Sequence, residues 1–317
     1  MRPERGLDLY DGTEPGPDGV RALAHRALEL RSGAAPLRFD GKRLAAVFLA
    51  PSLRTRFSLE AAAGALGVQP LIAQPGAGSW SWAIERGAVM DGADAEHIVD
   101  AVRVLSGYAD LLAIRAFAKQ DPAWDRADPV LTTCREEASV PVVNLESTRF
   151  HPLQGLADAA TLIDKLGDPT GKRLVLTWAP HPKPLPTAVP NQVLTTAHLL
   201  GMDVVLTHPP GFDLDPDVLA ATRPRYEPDQ NEAIRDADVV VAKSWSPFAG
   251  PPTAGVHPEW IVDADTLGSA GFMHCLPIRR NVVATDAVLD NSWVHETAHL
   301  RLYTAMAALE KIFGGSW

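Results

Sequence analysis

Residues Ser52-Leu53-Arg54-Thr55-Arg56 place two guanidiniums and two hydroxyls within five positions. Charge-assisted donors at that density suit an anion such as phosphate. A strand that ends here and a helix that begins here add backbone N–H groups and the positive end of a helix dipole. The plainer reading is an N-cap followed by solvated arginines. Arg115, at the end of a predicted strand, and His151-Pro152-Leu153-Gln154, at the start of a predicted helix, shift that balance. A lone His is usually structural and a lone Arg usually solvated. Here an imidazole and an amide share one turn, and both can bond a small planar group that carries a carbonyl and an amine. His274-Cys275-Leu276-Pro277 offers a thiol whose simplest chemical reading is a nucleophile.

Holding these groups requires strands that end at them. Leu44 to Leu49 reads as a buried strand, Pro51 to Arg56 as the turn after it and Phe57 to Leu66 as the following helix. A helix over His97 to Tyr108 precedes a strand over Asp110 to Ile114, which delivers Arg115. Strand 142–145, helix 152–166 and strands 173–178, 203–207 and 238–243 continue the alternation of a parallel α/β protein. Charged residues at the ends of such strands face the crevice where α/β sheets bind ligands. Gly167-Asp168-Pro169-Thr170-Gly171 reads as the turn that opens a second lobe, and a last helix over Thr297 to Phe313 is long enough to cross both. His181 to Pro190 holds four prolines in ten residues and reads as a stiff, non-helical loop facing the ligand.

The chain of 317 residues, 46% of them hydrophobic, has material for two domains of about 150 residues. Acidic residues outnumber basic ones 39 to 29, so the net charge of −10 gives no global support for nucleic-acid or membrane-surface binding. Two cysteines, Cys134 and Cys275, fit a reducing compartment and make neither a disulfide framework nor a plausible zinc site. The opening Met-Arg-Pro-Glu-Arg lacks the apolar core of a secretion signal, and no apolar run approaches the roughly 18 residues of a membrane span. A cytoplasmic location is expected. Neither major strand is followed by a Gly-x-Gly-x-x-Gly turn, which argues against a dinucleotide-binding protein.

Ser-x-Arg-Thr-Arg, His-Pro-x-Gln and His-Cys-Leu-Pro, in that order and at these spacings, resemble the three signatures of the aspartate and ornithine carbamoyltransferase family. The resemblance implies two doubly wound parallel-sheet α/β lobes joined by helices. Residues 1–146 would bind carbamoyl phosphate, 147–296 would bind the acceptor, and 297–317 would pack back on the first lobe. It further implies homotrimers with shared active sites, no metal and no organic cofactor. Ser52, Leu53, Arg54 and Thr55 would hold the phosphate, Arg115, His151 and Gln154 the carbamoyl end, with Cys275, Leu276 and Arg301 beside them. Trp80 would reach into a neighbouring subunit's site. Thr55, Arg115 and His151 would stabilise the oxyanion of the transfer step.

Where ordinary ornithine enzymes carry an aspartate- and asparagine-rich stretch, this chain has the proline loop, which is similar to the branch acting on N-acylated ornithine. In that branch the loop belongs to a trefoil knot, an exception to the rule that chains do not thread. Glu146, Lys183, Val189, Pro190, Lys243, Cys275, Arg279 and Ala95 are the residues expected at the acylornithine. Glu146 has a second reading as a partner for Arg149. By the same resemblance, acetyl enzymes carry Glu and succinyl enzymes Pro two residues before the histidine of the Met-Asp-Gly…Glu-His segment, and here Ala95 stands there. A carboxylate would repel a succinyl carboxylate, whereas alanine does not. Pro186 and Pro190 also follow the succinyl pattern. The expected reaction is therefore carbamoyl transfer from carbamoyl phosphate to N-succinylornithine, in arginine biosynthesis. N-acetylornithine as acceptor, or ligand binding without catalysis, are the alternatives. Ala95→Glu is expected to lower kcat/KM with the succinyl substrate more than with the acetyl one; equal losses would remove Ala95 from the specificity determinants.

Overall fold

Two sets of aliphatic strands, buried on both faces, organise the chain. A computed structural model describes residues 7–249, 251, 253–255 and 257–317; the opening Met-Arg-Pro-Glu-Arg lies outside them. The first part contains α1 (Gly16–Arg31), β1 (Arg43–Phe48), α2 (Leu53–Ala65), β2 (Gln69–Ala73), β3 (Trp82–Ala83), β4 (Glu96–His97), α3 (Ile98–Tyr108), β5 (Leu111–Arg115), α4 (Pro122–Ala127), α5 (Pro129–Glu137) and β6 (Val142–Glu146). After α6 (Pro152–Leu166) come β7 (Arg173–Trp178), α7 (Ala188–Leu199), β8 (Asp203–Thr207), α8 (Pro216–Thr222), β9 (Arg225–Tyr226), α9 (Gln230–Ile234) and β10 (Val239–Lys243). The final elements are α10 (Ala264–Leu267), β11 (Gly271–Met273), α11 (Asp286–Asp290) and α12 (Val294–Gly314).

Strands β2-β1-β5-β6 form one parallel sheet and β11-β10-β7-β8-β9 another. Every residue of β5 and β6 is buried, as expected for parallel strands covered on both faces. In the first sheet the winding reverses between β1 and β5, where Phe48 pairs with Arg115; in the second it reverses between β7 and β10, where Lys243 pairs with Trp178. Both reversals open crevices at the carboxyl ends of the strands, where ligands bind in this class of sheet.

Helices α6 and α12 tie the sheets together. α6 packs against α1, α7 and α12, and α12 lies across α1, α2 and α6. Ala305, Ala307 and Ala308 keep the α12 face small where it is buried. Thr161 of α6 donates to Thr297 of α12 at 3.0 Å, and Arg26 of α1 grips the buried Glu310 at 2.7 and 3.0 Å. No described helix is long and apolar enough to cross a membrane.

Two sequence expectations need correction. The segment expected as a turn over 51–56 is already helical from Leu53, because Ser52 caps the helix by accepting from the Thr55 N–H at 3.3 Å. The proline-rich stretch is a loop only to Thr187: α7 begins at Ala188, so Val189 and Pro190 are helical. Proline is tolerated in a first turn because the N–H it lacks would have no intrahelical partner there. α1, β2 and most of the short helices were not anticipated; β2, with a proline and a half-buried pattern, carries little strand signal.

Gly155 sets how closely α6 approaches α7. A Cβ there would lie 2.5 Å from Thr196 Oγ1 and 2.7 Å from Gln192 Nε2. Gly155→Ala is expected to destabilise the protein by about 1–3 kcal/mol, read as a lower thermal midpoint. A midpoint at or above that of the wild type would show that the two helices separate freely.

Candidate active site

The carboxyl ends of both sheets open onto one cavity of about 230 Å³. From the first lobe come Ser52, Arg54 and Thr55 at the start of α2, Arg115 at the end of β5 and Glu146 at the end of β6. His151 and Gln154 enter from the N-terminus of α6, and Arg301 from the middle of α12. The second lobe supplies His181, Leu185, Pro186 and Val189 around the start of α7, Lys243 at the end of β10, and His274 to Pro277 with Arg279 after β11.

Local chemistry fixes each group. The first turn of α2 carries no acidic residue, so its dipole end and Arg54 act in the same sense. Arg301 Nη2 donates to Thr55 Oγ1 at 2.8 Å, joining α12 to α2 inside the site. Arg115 donates to Glu146, which leaves the Arg115 Nε buried without a protein partner. The Nε atoms of Arg54 and Arg301, Nδ1 of His151 and Oε1 of Gln154 are buried and unpartnered too. Unpaired polar atoms are costly to bury, and a convergent set of them marks a ligand site.

Electrostatics in the cavity run opposite to those of the whole chain. Arg54, Arg115, Lys243, Arg279 and Arg301 line it, with Glu146 the one carboxylate among the lining residues. Burial lowers the Arg301 guanidinium to about 10; Glu146 and Cys275 oppose the shift, while Arg115 and Arg54 add to it. Burial, followed by Arg301 and Arg115, holds the His151 imidazole well below its usual range. His274 is lowered likewise, first by burial and then by Lys243 and Arg54. Its Nδ1 accepts from the Leu276 N–H at 2.9 Å, so its proton belongs on Nε2. Leu276 holds a left-handed φ of +56°, a strained setting for a branched side chain that this contact helps maintain. Burial also raises the Cys275 thiol, which makes it a poor nucleophile and a suitable wall.

An anion clamp beside neutral donors, facing a second lobe with its own cations, suits a phosphorylated donor and a charged acceptor. The model for "Aspartate/ornithine carbamoyltransferase, carbamoyl-P binding domain" matches residues 9–164, and that for the "Asp/Orn binding domain" matches 187–312. The chain belongs to the aspartate/ornithine carbamoyltransferase family. It is 42% identical to N-acetylornithine carbamoyltransferase of Xylella fastidiosa over 92% of this chain and 94% of that protein. It is 35% identical to N-succinylornithine carbamoyltransferase of Bacteroides thetaiotaomicron over 86% of this chain and 88% of that protein. Acetylornithine transcarbamylase complexed with acetylcitrulline superposes with a TM-score of 0.90 at 37% identity, covering 96% of this chain and 99% of that one.

Of the residues singled out from the sequence, Ser52, Arg54, Thr55, Arg115, Glu146, His151, Gln154, Val189, Lys243, Cys275, Leu276, Arg279 and Arg301 line the cavity of this carbamoyltransferase. Leu53, Trp80, Ala95, Lys183 and Pro190 do not. Leu53 and Trp80 are exposed, at 69% and 60% of their surface. Ala95 and Lys183 are exposed as well, and Pro190 is buried within α7. Trp80 Nε1 donates to Glu96 at 2.6 Å, which places the indole beside the segment that carries Ala95. The alternative partnership of Glu146 with Arg149 is not formed: Arg149 reaches the fully buried Asp215 at 2.7 Å instead. Phe117, Ser244 and Val283 also line the cavity and were missed. Ser244 directly follows the end of β10 and could have been found by that rule; Val283 carries no comparable signal.

With both imidazoles neutral, neither His151 nor His274 should contribute an acid limb near pH 6.5 to kcat/KM for carbamoyl transfer, since a ring of lowered pKa protonates only further down. An inflection at that pH in the wild type that vanishes in His151→Asn would contradict this protonation state.

Proposed function

We propose that the chain transfers the carbamoyl group of carbamoyl phosphate to the δ-amine of an N-acylated ornithine, with N-succinyl-L-ornithine as the preferred acceptor. The observation that carries the donor half is the convergence of Arg54, Arg115, Arg301, His151 and Gln154 on one cavity, with buried polar atoms left for a ligand. The phosphate would lie at the start of α2 and the carbamoyl group between Arg115, His151 and Gln154. The neutral δ-amine attacks the carbamoyl carbon, a C–N bond forms, and the tetrahedral species expels phosphate as its C–O bond breaks. The amine's proton goes to the departing phosphate, so no protein base is required. Arg115, neutral His151 and Thr55 donate to the oxygen that gains charge, and holding both substrates together supplies much of the rest.

Val189, Lys243, Cys275 and Arg279 face the same cavity from the second lobe, which suits residues 147–296 as the acceptor side. Preference for the succinyl group is supported by Ala95, which the resemblance sets where acetyl enzymes carry glutamate. Two variants of N-acetyl-L-ornithine transcarbamylase, with one glutamate replaced by proline or by alanine, have been solved with carbamyl phosphate and N-succinyl-L-norvaline. They superpose with TM-scores of 0.91 and 0.90 at 37% identity, each covering 96% of this chain and 99% of its counterpart. The second reading, N-acetyl-L-ornithine as acceptor, is favoured by the higher identity to the Xylella relative.

Ala95 and Trp80 are solvent-facing in one chain, so their part in acceptor choice requires a neighbouring subunit. A homotrimer with shared sites meets that requirement. A knotted path is supported by the way the loop after β7 engages the segment after β10: His181 bridges Gly255, and the Ser246 N–H donates to Leu185 O at 2.8 Å. Formation of citrulline derivatives from carbamoyl phosphate should be assayed in parallel with ornithine, N-acetylornithine and N-succinylornithine. The succinyl substrate is expected to give the highest kcat/KM. A higher value for the acetyl substrate would reverse the acceptor assignment, and turnover of none of the three would remove the enzymatic reading.

A further inference from the structure

Behind the cavity wall, one turn along α6 from Gln154, lies a carboxylate to which the transfer step gives no part. Asp158 is buried, and its Oδ1 accepts from Gln154 Nε2 at 2.9 Å. Asp158 does not itself line the cavity, whereas Gln154 does. The other end of the amide, Gln154 Oε1, is buried without a protein partner. A glutamine amide is nearly symmetric in shape but not in chemistry: one end accepts two hydrogen bonds and the other donates two. A glutamine free to turn would therefore present either end to a ligand.

We propose that Asp158 is a positioning residue: by accepting from Nε2 it locks the Gln154 amide with Oε1 turned to the cavity, where it reads the amino group of the carbamoyl donor. An ionised carboxylate has no proton to give, so it can pair only with the NH2 end, and this fixes the orientation. The i, i+4 spacing on α6 sets the two side chains on one face, a geometry in which Gln and Asp hydrogen-bond well. Burial raises Asp158 to about 7, with the Gln154 bond and Arg301 acting against the shift. Above that pH the lock is engaged. The result is selection: a carbamoyl –NH2 meets an acceptor, whereas a carboxylate oxygen in the same place meets a lone pair. Sites built around a fixed hydrogen-bonding group reject the mismatched analogue far better than shape alone can. Supporting partners of this kind, one step removed from the ligand, govern how well a contact group is aimed.

The role of Asp158 rests on carbamoyl phosphate as the donor, and the test separates the two claims. Two stable phosphonates serve as probes at pH 8: phosphonoacetamide, which ends in an amide, and phosphonoacetate, which ends in a carboxylate. Dissociation constants are measured by calorimetry on the full chain. The wild type should prefer the amide by about tenfold or more, the worth of one well-made hydrogen bond in a buried site. Asp158→Leu, which keeps the bulk and removes the acceptor, should bring that ratio close to unity. In a Gln154→Ala background, where the amide is gone, Asp158→Leu should cause no further loss of kcat/KM for carbamoyl phosphate. Should the leucine variant fail to fold, Asp158→Asn takes its place. Its own amide can either accept or donate, so Gln154 is free to turn and the ratio should fall at least about threefold.

A folded variant whose ratio equals that of the wild type overturns the role of Asp158, as does a full additional loss in the Gln154→Ala background. A wild type that binds both phosphonates without preferring the amide overturns it as well. A wild type that binds neither phosphonate strikes the donor assignment itself. A general packing role for Asp158 would weaken both probes together and leave their ratio unchanged.

Discussion

Three guanidiniums, from α2, β5 and α12, are held in a cavity where burial penalises charge, and Glu146 is the one lining carboxylate that answers them. Such an excess is tolerable only if it is shared out and hydrogen-bonded. The surrounding structure does that sharing. Glu146 engages Arg115, the Thr55 hydroxyl engages Arg301, and the imidazoles of His151 and His274 give up their charge. Each of these groups sits at the end of a strand or on a joining helix, so the two switch points and the paths of α6 and α12 all serve to place this charge.

The sequence made that arrangement readable to different depths. Parallel strands buried on both faces are unbroken aliphatic runs, and the strands at 173–178 and 203–207 and helix 152–166 were found at their observed bounds. Groups at the ends of those runs, such as Arg115 and Lys243, followed from the same rule. Short helices such as α8 and α9, and the half-buried edge strand β2, lack a long period and so were lost. Proline misled in one place, because at position 190 it begins a helix instead of preventing one. Arg301 shows a different limit: nothing local to α12 marks it out, and only the family resemblance brought it to the site.

The residues proposed for the donor and for the acceptor sit in different kinds of structure. The proposed donor side is built from buried and half-buried side chains within one chain, several held by a second residue in turn. Residues expected to govern the acyl group are divided: Val189 and Lys243 face the cavity, whereas Ala95 and Trp80 lie on an exposed segment braced by β3, β4 and the Trp80–Glu96 contact. Changes in that segment disturb little of the core. A family can therefore hold the donor chemistry fixed while its members differ in the acceptor they take.

The contact between Thr55 and Arg301 joins residues 246 positions apart. α2 is made early on the ribosome and α12 very late, yet α12 is packed on α1 and α2. During synthesis the surface of α1 and α2 that α12 covers stays open until the whole second sheet has emerged. Parts of a chain generally fold in the order in which they are made, and here the part made first is completed by the helix made last. Such a chain has its longest exposure to aggregation while it is being built, and slowing translation between β11 and α12 would prolong it.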